Sequence, residues 1–149
     1  MKLIDIYGAD ALRFALTTGT SPGNNLRLGE HKLEASRNFA NKLWNASRFL
    51  LNNLTDKSSN GWYDLNNLTH REDQWIISRL HHTIDQTNRY LYQNELGQAQ
   101  QTIHDFVWHE FCDWYLEMAK VALNGDQPHA RRETRATLLA TLEIVLRAL

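Results

Sequence analysis

A chain of 149 residues is the size of one domain and can bury roughly 70% of the surface its unfolded form exposes, enough for a single core. Apolar residues make up 42% and aromatics 10%, five of them Trp, against two Pro and seven Gly. That balance favours long helices over a strand-rich sandwich. No run approaches the roughly 18 apolar residues of a membrane span, Met1-Lys2-Leu3-Ile4-Asp5 meets a charge too early for a secretory signal, and Cys112 is the only cysteine. A membrane protein, a disulfide scaffold and a cysteine zinc knuckle are therefore excluded, and a cytoplasmic protein is expected. The net charge of −1 taken alone argues against nucleic acid, but it is unevenly spread. Residues 1–54 hold seven Lys/Arg against four Asp/Glu, and residues 71–122 hold four against eight, so the first third is the basic side.

A short first helix is expected from Asp5 to Thr18, with Ile6, Ala9, Leu12, Phe14 and Leu16 near helical spacing and Gly19 as its C′ residue. Thr20 to Gly29, containing Ser-Pro-Gly and Asn-Asn, reads as a loop. From Glu30 to about Leu54, the steps of three and four through Leu33, Ala40, Leu43, Trp44, Ser47, Leu50, Leu51 and Leu54 predict a long amphipathic helix. Residues 55–68 are polar and aperiodic, a surface connection. Thr69-His70-Arg71-Glu72 then has the capping-box pattern, opening a third helix whose face carries Ile76, Leu80, Ile84 and Leu91. A fourth runs from Glu95 to Leu123 with Leu96, Ala99, Ile103, Phe106, Val107, Trp114, Met118 and Val121 on its apolar side, closed by Asn124-Gly125. A fifth begins near Asp126 and Pro128 and carries Leu138, Leu139, Leu142, Val145, Leu146 and Leu149. It stops without a C-cap signal, as a chain cut from a longer one would. With no internal repeat, the expectation is an all-α bundle of about five helices in one domain, residues 1–149.

Few residues suit catalysis. His104 and His109 are five apart, about 500° of helical rotation. The His-Glu-x-x-His zinc pattern fails because Asp113 follows Glu110-Phe111-Cys112. There is no phosphate loop, no nucleophile elbow and no distinctive carboxylate pair; no catalytic or metal-binding residue is assigned. The second helix offers more. Asn38, Lys42, Asn45 and Phe49 share a face opposite its apolar stripe, flanked by Arg37, Asn41 and Arg48. Cations for phosphates, amides for base edges and a ring for stacking suit single-stranded nucleic acid. From spacing alone, a solvated face with Phe49 packed on a neighbouring helix is the better explanation of the pattern.

Tyr7-Gly8-Ala9-Asp10-Ala11-Leu12-Arg13-Phe14 resembles the segment after the KMSKS loop of class I aminoacyl-tRNA synthetases for Val, Ile and Leu. Ser21-Pro22-Gly23, the run Asn38-Phe39-Ala40-Asn41-Lys42-Leu43-Trp44-Asn45-Ala46-Ser47-Arg48-Phe49 and the run Phe106-Val107-Trp108-His109-Glu110-Phe111-Cys112-Asp113-Trp114-Tyr115-Leu116-Glu117 are similar to the valyl branch in particular. The likeness covers about Ile4 to Leu149, with residues 1–19 as the junction from a catalytic domain. It implies a helical anticodon-binding domain that positions the tRNA for valine, with the rest of the synthetase in cis and neither DNA nor membrane as partner. The piece itself would need no cofactor; ATP and magnesium would serve the parent enzyme, and the catalytic signatures and editing domain would precede Met1. The resemblance further implies that Phe49 stacks on an anticodon base with Lys42 beside it. It also implies that Leu116 and Glu117 face the same bases as hydrogen-bond acceptors. His31 stands where some bacterial members carry Arg, which implies a weaker contact, pH-dependent near neutrality. Arg37 and Arg48 are candidate phosphate contacts, with Arg48 alternatively paired to an acid of the fourth helix. The other readings are the equivalent domain of an isoleucyl or leucyl enzyme, which the Asn41-to-Asn45 block disfavours, and a stand-alone helical interaction module.

Overall fold

The computed structural model describes residues 2–20, 23, 28–53 and 65–149. Ser21-Pro22, residues 24–27, Leu54 and most of the expected surface connection, residues 55–64, lie outside the described residues. All regular structure among those described is helical: α1 (Lys2–Tyr7), α2 (Ala9–Thr17), α3 (Glu30–Asn53), a 3₁₀ turn (Leu65–Asn67), α4 (Arg71–Tyr92), α5 (Leu96–Asp105), a π segment (Phe106–Tyr115), α6 (Leu116–Asn124) and α7 (Pro128–Ala148). No helix among the described residues is long and apolar enough to cross a membrane.

The expected first helix is two. Gly8 adopts φ 91° and ψ 154°, a backbone state open to a residue without Cβ, and it turns the chain between α1 and α2. Gly19, at φ 64°, follows the Thr18 cap of α2 as the C′ residue the sequence indicates. Between α4 and α5 the C′ role falls to Asn94 at φ 60°. The Glu95 N–H reaches back to the Tyr90 carbonyl at 2.9 Å, the 6→1 bond of a Schellman turn that folds the two helices into a hairpin.

The expected fourth helix is one rod made of α5, the π segment and α6, continuous through αR geometry at both junctions. Its core residues Ile103, Val107, Phe111, Tyr115, Ala119 and Leu123 are all buried, a step of four. In an α-helix each such step drifts by about 40°. The wider π turn, closed by i→i+5 bonds, absorbs the drift and keeps the line on the core. Reading the stretch at the α period places Ala99, Ile103, Phe106 and Val107 in the core correctly but loses the phase beyond them: Trp114 and Val121 are 66% and 77% exposed and Leu96 is exposed, while Phe111, Tyr115 and Leu116 are core. On α3 the buried line runs through Leu33, Ser36, Phe39, Ala46 and Leu50, rotated by roughly 50° from the expected stripe, so Trp44 and Leu51 are exposed. On α7, Leu139 and Leu146 are likewise exposed, as is Leu149 just beyond it, and Thr134, Thr137 and Thr141 share the buried side with Leu138, Leu142 and Val145.

The start of α4 is held from another helix. Thr69 gives its N–H and, at 2.7 Å, its hydroxyl to Glu133 of α7, and the His70 N–H follows at 2.9 Å. The helix begins only at Arg71 with His70 as N-cap. A capping box closed by Thr69 and Glu72 therefore does not form; Glu133, fully buried, supplies the negative charge that the helix N-terminus favours. One turn on, buried Asp73 accepts from the Tyr115 hydroxyl and, at 3.0 Å, from the Thr134 hydroxyl. Burial holds the Asp73 carboxyl above its ordinary range despite both hydrogen bonds. The Tyr115 hydroxyl is pushed far up by burial and by the Asp73 charge.

At the other end of the bundle, a Cβ at Gly97 would lie 2.2 Å from the Thr20 carbonyl oxygen, so α5 meets the end of α2 through a missing side chain.

Asp73→Ala is expected to lower stability by about 2–4 kcal/mol, since it strands two buried hydroxyls; urea unfolding reads this, and a loss below about 1 kcal/mol would show the network to be dispensable. Because the folded-state pKa of Asp73 is raised, its contribution to stability is greatest below its ordinary value of 3.8 and is lost as pH rises through the folded value. The difference between wild type and Asp73→Asn in urea unfolding should therefore shift in favour of Asn as pH rises across that window. Gly97→Ala should cost about 1–3 kcal/mol by overpacking, read as a lowered Tm; an unchanged Tm would mean that Thr20 yields freely.

Candidate nucleic-acid interface

Helix α3 runs in the same sense as the α5–π–α6 rod, because successive residues of one meet successive residues of the other. Phe39 lies 4.7 Å from His104 between ring centroids. Lys42 meets Trp108 and Asp113, and Phe49 meets Lys120. The seam opens on an aromatic row, with Phe14 stacked on Phe39 at 4.6 Å and His104 stacked on Trp108 at 5.7 Å. His104 thus has a packing role.

Lys42 is the first cation of the seam. Its Nζ lies 3.9 Å from the Trp108 ring centroid and 2.6 Å from Asp113 Oδ1, held by a ring face and a carboxylate together. His109 Nδ1 stands 3.6 Å from the other Asp113 oxygen. Two turns along α3, Phe49 is half-buried with one side packed on the core. Lys120 Nζ stands 5.8 Å from its ring centroid and 2.6 Å from Glu117 Oε1.

Of the residues singled out from sequence, Lys42, Phe49 and Glu117 come together along this seam. Asn38, Asn45 and Arg48 are exposed on α3. The set does not lie opposite the core: the rotation of α3 puts Lys42 and Phe49 on its shoulder, with Asn38 and Asn45 at the outer edge. Arg37 is half-buried with its guanidinium 5.6 Å from the Tyr7 ring centroid, turned toward α1. His31 is exposed in the first turn of α3, more than four turns from Phe49. The Leu116 side chain is core, whereas Glu117 beside it is exposed.

Sequence reasoning missed Trp108, Asp113 and Lys120 as members. Lys120 follows Glu117 by three and Asp113 follows His109 by four, pairs that a helix brings together. No local signal indicates that Asp113 also reaches Lys42, 71 positions away in the chain. The bidentate Arg79–Glu110 pair, at 2.6 and 2.8 Å, ties α4 to the π segment on the other side of the rod.

Two further groups are of reactive type but serve the fold. The Cys112 thiol is pushed up to about 11 by burial, so it stays protonated and unreactive. His70, His129 and Glu133 bring ligand atoms within 4.8 Å of one another. The Glu133 oxygens already accept from Thr69 and His70, and the carboxylate serves as the α4 cap.

Residues 73–149, spanning α4 through α7, match the family described as the anticodon-binding domain of tRNA ligase. Over its whole length the chain is 47% identical to a valine–tRNA ligase of Dehalococcoides mccartyi, covering 16% of that protein. It is 44% identical to the one of Listeria monocytogenes, covering 17%, and 46% identical to the one of Halalkalibacterium halodurans, also covering 17%. The chain spans about a sixth of the length of these curated relatives. With the matched region holding the rod, its two flanking helices and half of the seam, the chain belongs to the anticodon-binding domain family of tRNA ligases.

Proposed function

We propose that this chain is the anticodon-binding part of a valine–tRNA ligase and that the seam between α3 and the α5–π–α6 rod receives the anticodon loop of the tRNA for valine. The observation that carries the reading is the identity to valine–tRNA ligases along the entire chain, joined to a seam that alternates rings, cations and carboxylates. Phe49 offers a partly open ring for one base. Glu117, exposed one turn of α6 away from Lys120, accepts from base amino or imino groups. Lys42 and the exposed Arg48 meet backbone phosphates, and Asn38 and Asn45 on the outer edge offer paired donors and acceptors. Arg37 and His31 lie to one side of Phe49 and serve the flanking backbone. Leu116 takes part through the backbone of α6, since its side chain belongs to the core.

Attachment of valine, with its ATP and magnesium, falls in this reading to the remainder of a longer cytoplasmic polypeptide. The domain supplies position: it fixes one end of the tRNA so that the other reaches a distant active site. Phosphate attraction alone would not distinguish one tRNA from another, because phosphates carry no sequence.

Fluorescence anisotropy of the chain against labelled anticodon stem-loops with valine and isoleucine anticodons should show the valine loop bound about tenfold more tightly or better, a difference of about 1.4 kcal/mol. Equal affinity for both loops would overturn recognition by this seam. Phe49→Ala should weaken the valine loop by about 1–3 kcal/mol. Because one side of the ring packs on the core, the same change should lower folding stability by about 2 kcal/mol, below the 3–5 kcal/mol of a fully buried Phe. Full binding by a destabilised variant would make Phe49 a core residue only.

A further inference from the structure

The seam carries two rungs of the same make-up, each a lysine placed over an aromatic ring and paired at 2.6 Å with a carboxylate of the rod. They differ in how firmly they are held. Lys42 is one-quarter exposed, sits 3.9 Å from its ring centroid, and reaches across two helices to a carboxylate that His109 also approaches. Lys120 sits 5.8 Å from its ring centroid, and both it and Glu117 are well exposed, in an i,i+3 pair within one helix. Exposed pairs of that kind are weak and open readily. The second rung is therefore the movable one.

In the free protein the movable lysine occupies two groups at once, the Phe49 ring and the Glu117 carboxylate. Both are groups that a base needs if it is to stack and to donate its edge. A base entering the seam must displace the Lys120 ammonium from both, and the displaced cation then stands beside a nucleotide that brings its own phosphate. The exchange replaces one anionic partner by another, so the lysine keeps its charge compensated throughout. A base that stacks without donating to Glu117 leaves the carboxylate to compete for the lysine.

Resting on the anticodon-loop reading, we propose that Lys120 is a further specificity-determining residue of this interface: it closes Phe49 and Glu117 in the free protein and passes to an RNA phosphate when the correct base enters. The sequence of α6 gives only its spacing of three from Glu117, a pairing that an ordinary solvated lysine shares.

The test is anisotropy of the 149-residue chain and its Lys120→Met, Lys120→Gln and Lys120→Arg variants with the valine and isoleucine anticodon stem-loops across a salt series, thermal melts confirming that each variant is folded. Lys120→Met and Lys120→Gln should lose roughly three- to fivefold in affinity for the valine loop near 0.15 M salt, and their log–log salt slope should be shallower by about 0.7–0.9, one phosphate contact. Their preference for the valine loop should narrow, and Lys120→Arg should keep wild-type slope and preference. Wild-type discrimination combined with an unchanged slope in Lys120→Met and Lys120→Gln would overturn this inference and leave the anticodon-loop reading standing. So would tighter binding of both loops, which would make the lysine a mere obstruction. Wild-type protein that binds neither loop would overturn both.

Discussion

Two carboxylates sealed between three helices set the geometry on which the rest of this domain depends. Asp73 and Glu133 are buried where the start of α4, the end of the π segment and the first turns of α7 converge. Asp73 accepts from the Tyr115 and Thr134 hydroxyls, and Glu133 accepts from Thr69 and the His70 N–H, with His129 Nδ1 3.5 Å from its Oε2. Such groups are costly to bury and specific once satisfied: Tyr115 must point its hydroxyl at Asp73, and Glu133 must meet the turn before Arg71. Sliding any of the three helices along its neighbours would leave a buried charge without donors. The network therefore fixes the axial position of the rod, and with it the height of every residue the rod presents to α3.

The π segment turns that axial position into an azimuthal one. Its wider turns keep Val107, Phe111 and Tyr115 in line with the core, and the same turns direct Trp108 and Asp113 toward α3, where Lys42 enters between them. An α-helical rod of the same sequence would carry these side chains progressively around its axis. π-helical turns are often found at functional sites, and here they align a core line and a surface line that an α-helix would separate.

The charge pattern follows from the same packing. Along the seam Lys42 of the basic first third is compensated by Asp113 of the acidic middle, and Lys120 by Glu117 within its own helix, so neither lysine is left as a bare positive patch. A near-neutral net charge is then compatible with RNA recognition. General phosphate attraction, which every RNA offers equally, is held down, and contacts that a particular base can make acquire more weight.

Helical content, the Gly19 cap, Pro128 at the start of α7 and the likeness of the Asn38-to-Phe49 and Phe106-to-Glu117 runs to the valyl branch were all legible from sequence, because propensity, capping and motif identity are local. The candidate residues Phe49, Lys42 and Glu117 were legible in the same way. Three things were decided only by tertiary structure. The phase of each apolar face depends on which neighbour the helix meets, so Trp44, Trp114 and Val121 turn outward despite their hydrophobicity, and a π register breaks the period on which the reading rests. The α4 cap comes from Glu133, 64 positions beyond Thr69, and Lys42 meets Asp113 across 71. Such pairings arise from chain folding and leave no spacing in the sequence, since a helix dictates neighbours three and four residues away but not the side chains of the helix beside it.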